Sequence, residues 1–93
     1  MKVTPDIVTQ EFLGTETRVA RSSHKDYVGI HGRIMDETRN TFKILQNEKT
    51  KTIAKDSSVF HFKLQDGTVV EIEGSLLVGR PEDRLKKRTR RLW

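Results

Sequence analysis

The chain has 93 residues and no cysteine, which excludes two independent cores, a disulfide framework and any thiolate metal site. Hydrophobic and charged residues each make up 33%. That apolar share lies below the ~45–50% usual for globular domains, so a single thin core is expected. Net charge is +5, and its distribution is uneven: residues 1–79 carry 11 Lys/Arg against 11 Asp/Glu, whereas residues 80–93 carry 7 against 2. A neutral body with a basic end suits a phosphate-backbone binder. No stretch approaches the ~18 apolar residues of a membrane span, and Met1 to Gly14 lacks an apolar run of signal-peptide length. The expectation is a cytoplasmic protein with no membrane contact.

In chain order, a short helix is predicted over about 4–13. Thr4 is its cap, Pro5 its first residue, Asp6 lies in the first turn and Gly14 is the stop. Thr17 to Ser22 alternates weakly as a first strand, and Ser23 to Asp26 forms a polar turn. Tyr27 to Met35 reads as the next strand, with Val28, Ile30 and Ile34 on one face and Tyr27, His31, Arg33 and Met35 on the other. Asp36 to Asn40 is a turn in which Asn40 can take a positive φ. Thr41 to Gln46 follows, with Phe42 and Ile44 inward, and then a short edge piece from Thr50 to Ala54.

Ser58 to Leu64 and Thr68 to Leu77 give the strongest hairpin signal. A two-residue Asp66-Gly67 loop would set Phe62 opposite Glu71. A three-residue loop, Gln65-Asp66-Gly67, sets Phe62 opposite Val70 and Phe60 opposite Ile72. Only the second keeps apolar residues together, so a type I turn with Gly67 left-handed is predicted. A basic helix or tail is predicted over about 81–93: Pro81 starts it, Glu82 and Asp83 fill the first turn, and the bases lie towards its C-terminus. About six short strands with helical ends argue one mainly β domain over 1–93, a small twisted antiparallel barrel.

No catalytic constellation stands out. His24 falls in a turn, His31 and His61 fall on polar strand faces, and no metal-ligand spacing occurs. Arg33, Arg39, Asn40 and Lys43 cluster around one hairpin and are candidate RNA contacts, as are Lys86, Lys87, Arg88, Arg90 and Arg91 at the basic end. Ile7, Phe12 and Leu85 place apolar side chains on terminal helices too short to be stable alone, which makes them candidate partner contacts.

Five blocks then carry a resemblance. Glu11-Phe-Leu-Gly14, Gly29-Ile-His-Gly-Arg-Ile-Met-Asp-Glu-Thr-Arg-Asn-Thr-Phe-Lys-Ile44, Phe60-His-Phe-Lys-Leu-Gln-Asp-Gly67, and Ile72-Glu-Gly74 with Arg80-Pro-Glu-Asp-Arg84 resemble the archaeal ribonuclease P protein component 1 family, whose eukaryotic relative is shared by ribonucleases P and MRP. The resemblance implies an Sm-like barrel. It also implies a non-catalytic subunit of a ribonucleoprotein whose RNA removes the 5′ leader from precursor tRNA, with Mg²⁺ required by the RNA and no cofactor held by this chain. Implied partners are the ribonuclease P RNA, a small zinc-ribbon protein subunit, other holoenzyme proteins and, indirectly, precursor tRNA. The alternatives are another Sm-like or ribosomal RNA-binding protein, or a stand-alone metal-dependent nuclease.

Overall fold

The computed structural model describes residues 12–79. Six strands form one antiparallel sheet: β1 (Glu16–Ser22), β2 (His31–Glu37), β3 (Thr41–Gln46), β4 (Lys49–Ala54), β5 (Ser58–Lys63) and β6 (Val69–Glu73). Their spatial order is β4-β3-β2-β1-β5-β6, so strands consecutive in sequence are neighbours in space except β4 and β5, and β5 instead pairs with β1. Among the described residues the ladder stays open, with β4 and β6 as its edges. The fold is the twisted mainly β sheet that was expected, without ladder closure. The helix predicted over 4–13 lies outside the described residues apart from Phe12 and Leu13, which are coil and turn. The segment 81–93 lies wholly outside them.

The sheet bends around one apolar core. Val19, Ile34, Phe42, Ile44, Ile53, Phe60, Phe62, Val70, Ile72 and Leu77 are buried on its inner face. Strand alternation explains the choice: inward residues alternate with outward ones, as in the buried-intermediate repeat of β5. Phe12 belongs to this core. It is 1% exposed and stacks on Phe62 at 4.2 Å with the rings 19° apart. A T-shaped contact joins Phe42 to Phe60 at 5.2 Å. Such pairs add roughly 0.5–1.5 kcal/mol beyond the area they bury. Phe12 is therefore a core residue and not the exposed partner contact that its helical stripe suggested.

The β5–β6 hairpin has the predicted register, Phe60 with Ile72 and Phe62 with Val70. The Gly67 amide donates to the Leu64 carbonyl at 2.9 Å, and the Leu64 amide donates to the Thr68 carbonyl at 2.8 Å. Gly67 has φ 89°, the left-handed residue that this bulged turn requires.

Three boundaries differ from expectation. β2 begins at His31, because Lys25–Tyr27 is a 3₁₀ turn and Val28 is 49% exposed. The Tyr27 amide donates to His24 O and the Ile30 amide to Tyr27 O, so this backbone is already engaged in turns. At its other end β2 continues through Asp36 and Glu37, and Arg39 with Asn40 forms the tip. Asn40 does not adopt a positive φ; the Thr38 amide bonds to the Thr41 carbonyl and the Thr41 amide to the Thr38 hydroxyl instead. The positive angles occur one hairpin later, at Asn47 (51°) and Glu48 (67°), between paired Gln46 and Lys49. β6 ends at Glu73 rather than Leu77, and Gly74–Leu77 turns into a 3₁₀ segment that sends Leu77 into the core.

That segment spans towards the β2–β3 tip. The Gly79 amide donates to Arg39 O at 2.6 Å. Lys55 fixes the same corner from inside. Its side chain is fully buried, and its ammonium lies 2.7 Å from Glu37, 2.7 Å from the Thr38 carbonyl and 3.2 Å from the Gly79 carbonyl. The same ammonium sits 4.7 Å from the centre of the Phe42 ring.

Candidate nucleic-acid interface

The outer face of the sheet is built by the residues that alternate with the core. Register fixes which of them stand side by side. One row runs His31, Arg18, His61, Glu71 across β2, β1, β5 and β6. The next runs Leu45, Arg33, Glu16, Lys63, Val69 across five strands. Lys43 follows beside Asp36, past a bulge that leaves Met35 half exposed. Directly opposed residues in such ladders have Cβ atoms roughly 4.5–5.5 Å apart, so each row is a continuous line of side chains.

Arg18, Arg33, Lys43 and Lys63 share this face, and among the described residues none of them has a carboxylate within 4.0 Å. Four cations on one sheet face with no ion pair among the described residues form a surface complementary to phosphate. Arg21 is different: it pairs with Glu71 at 3.3 Å. Glu71 also takes a 2.9 Å contact from His61 Nε2. The His61 contact, followed by the Arg21 charge, holds the Glu71 carboxyl below the ordinary glutamate value.

Of the residues expected at the RNA, Arg33 and Lys43 lie on this face, and Arg39 and Asn40 form the exposed tip at its end. Lys86, Lys87, Arg88, Arg90 and Arg91 lie outside the described residues, as do Ile7 and Leu85. Gly79 meets Arg39, so the chain enters its basic end beside that tip. Arg18 and Lys63 were missed by sequence reasoning, although the alternation of β1 and β5 contained the signal. Arg18 falls between buried Thr17 and Val19, and Lys63 follows buried Phe62.

His31 and His61 are both opposite Arg18, on either side of it. An arginine thus stands between the two rings, an arrangement unsuited to a general acid–base pair. No group of three metal-ligating side chains occurs among the described residues. Arg18, Arg33, Lys43 and Lys63 offer ionic and hydrogen-bonding contact on this face.

A groove of about 220 Å³ opens on it, lined by Glu16, Thr17, Arg18, His61, Lys63 and Val69. A second groove, of about 290 Å³, lies at the end of β1 and is lined by serines together with Arg21, Val59, Asp56 and Glu73. Its two carboxylates outnumber its one cation, Arg21.

Comparison with known proteins gives a consistent result. Residues 5–87 match the family described as ribonuclease P/MRP, subunit p29. "Ribonuclease P protein component 1" of Methanothermobacter thermautotrophicus is 46% identical over 96% of this chain and 98% of its own length. The protein of the same name from Pyrococcus furiosus is 48% identical over 92% of this chain and 68% of its own. A solved structure described as Mth11, a homologue of human RNase P protein Rpp29, superposes with a TM-score of 0.60 at 47% identity, covering 81% of this chain and 97% of that one. The chain belongs to the ribonuclease P/MRP p29 family.

Proposed function

We propose that this ribonuclease P protein subunit holds the enzyme's RNA against the outer sheet face, through Arg18, Arg33, Lys43 and Lys63, with Arg39 and Asn40 at the tip orienting it. The observation that carries the reading is the set of four cations in adjoining rows of one face that have no ion pair among the described residues. Side-chain ammonium and guanidinium groups so placed displace counterions from an RNA backbone and lower phosphate repulsion. In this reading the cleavage chemistry belongs to the RNA and its Mg²⁺, the site of action is cytoplasmic, and precursor tRNA is reached through the RNA. Lys86, Lys87, Arg88, Arg90 and Arg91 add sequence-independent phosphate contacts. A small zinc-ribbon protein subunit is the proposed protein partner, with Ile7 and Leu85 its proposed contacts.

The test is reconstitution. Protein alone is expected to leave precursor tRNA intact, and protein with its RNA and partner subunits to raise 5′-leader removal at low Mg²⁺. Arg33→Ala with Lys43→Ala should shift the Mg²⁺ requirement upwards without unfolding the chain. An unchanged Mg²⁺ requirement and unchanged RNA affinity would show that the RNA docks elsewhere.

A further inference from the structure

Phosphate contact explains the cations of the outer face but not the groove between β1, β5 and β6. Its lining is mixed. Arg18 and Lys63 are positive, Glu16 is negative, and Val69 is 59% exposed at the sheet edge. His61 faces outward with 38% of its side chain exposed, and its Nε2 is fixed on Glu71 at 2.9 Å. Glu16 stands opposite Lys63 on one side and Arg33 on the other, so positive and negative side chains alternate along the row. A duplex backbone, with phosphates as its only outer charge, gains nothing from a carboxylate there. A single nucleotide with its base unstacked is a different object, with one phosphate, one flat apolar ring and one polar edge that donates hydrogen bonds.

We propose that this groove receives one unpaired nucleotide of the RNA. Arg18 and Lys63, diagonal across the β1–β5 ladder, take the phosphate. The base lies on the His61 ring and on Val69, since imidazole is one of the ring systems on which unpaired bases stack. Glu16 accepts a hydrogen bond from an exocyclic amine or ribose hydroxyl. The carboxylate of Glu71 keeps the His61 ring from rotating away. This proposal rests on the outer face being the RNA-binding surface, and it specifies what part of the RNA goes where.

The experiment uses the full chain with an unstructured single-stranded RNA hexamer and an RNA duplex of equal phosphate count. The hexamer is expected to shift the Val69 methyl and His61 ring resonances, and the duplex to leave them in place. His61→Ala should weaken hexamer binding by about 5-fold or more, in line with base–aromatic stacking. His61→Phe should restore most of it. Lys63→Ala should reduce the slope of log K against log salt by about 0.7 for the single strand, whereas Val69→Ala should weaken binding with the slope unchanged. Equal binding of duplex and hexamer, with a silent Val69 and no loss in His61→Ala, would overturn the groove assignment. If Arg33→Ala with Lys43→Ala still weakened both RNAs, the face would remain the RNA surface. Loss of response to every one of these substitutions would overturn both.

Discussion

At the scale of single residues, Lys55 and Glu37 are the pair on which most depends. Both side chains are withdrawn from water, at 0% and 6% exposure, and an ammonium so placed is stabilised by the oxygens around it and by the Phe42 ring. Replacing one member leaves the other charge buried and uncompensated, a loss of about 3–5 kcal/mol. Lys55→Met is therefore expected to lower the melting temperature by well over 10 °C, at roughly 4–8 °C per kcal/mol for a domain of this size, as thermal unfolding followed by circular dichroism would show. Glu48 presents the opposite case. With φ 67° it occupies the second position of a two-residue turn that favours glycine. Glu48→Gly should raise stability by about 0.5–1 kcal/mol, relief of the left-handed strain outweighing the greater chain entropy of glycine. Chemical denaturation of the two proteins reads that difference. Gly32 shows a steric limit, since a Cβ there would lie 1.9 Å from the Leu45 carbonyl oxygen.

At the scale of elements, the β5–β6 hairpin was legible in the sequence and the β2 strand was not, and the reason is physical. In β5–β6 only one register keeps Phe60 and Phe62 opposite apolar residues, so packing and turn geometry agree. That agreement makes Gly67 testable. Gly67→Val places a β-branched residue at φ 89° and should cost about 2 kcal/mol or more. Asp66→Ala removes the 3.0 Å bond from the Thr68 amide and should cost about 0.5–1.5 kcal/mol. Equal denaturation midpoints for wild type and Gly67→Val would contradict the turn. In Tyr27 to Ile30, by contrast, strand-like composition is overridden by local turn hydrogen bonds, which no alternation pattern reports. Lys55 was invisible for a related reason: a lysine reads as surface, and only the meeting of the β2–β3 tip with Gly79 supplies the acceptors that let it be buried. The outer-face rows were half legible. Arg33 and Lys43 followed from alternation within one hairpin; Arg18 joins them through the β1–β2 ladder, whereas Lys63 joins only through the non-sequential β1–β5 ladder.

For the whole molecule, the charge divides into a neutral stretch and a basic end of +5 over residues 80–93. The neutral stretch nonetheless concentrates cations on one sheet face, so the two contributions can be separated by salt. Replacing Lys86, Lys87, Arg88, Arg90 and Arg91 with Ala should flatten the slope of log K against log salt by roughly 2–4, if three or four of them reach phosphates at about 0.7–0.9 each. Specific and non-specific RNA should weaken alike. Asn40→Ala carries no charge change and should leave the slope in place while reducing preference for the cognate RNA. A salt titration with cognate RNA and an unrelated duplex measures both.

The buried ammonium of Lys55 also gives the molecule a chemical clock. An amine-reactive reagent modifies a lysine only when its nitrogen is neutral and reachable, and Lys43, Lys49, Lys51 and Lys63 are all reachable in the folded chain. Lys55 is not, so its labelling requires the corner formed by Glu37, Thr38 and Gly79 to open. Its rate relative to Lys63 then reports the free energy of that opening, and mass spectrometry of the labelled peptides reads it directly. Because Gly79 is one wall of the corner and leads into the basic end, RNA or a partner protein that anchors that end should slow the labelling of Lys55, a residue neither of them touches.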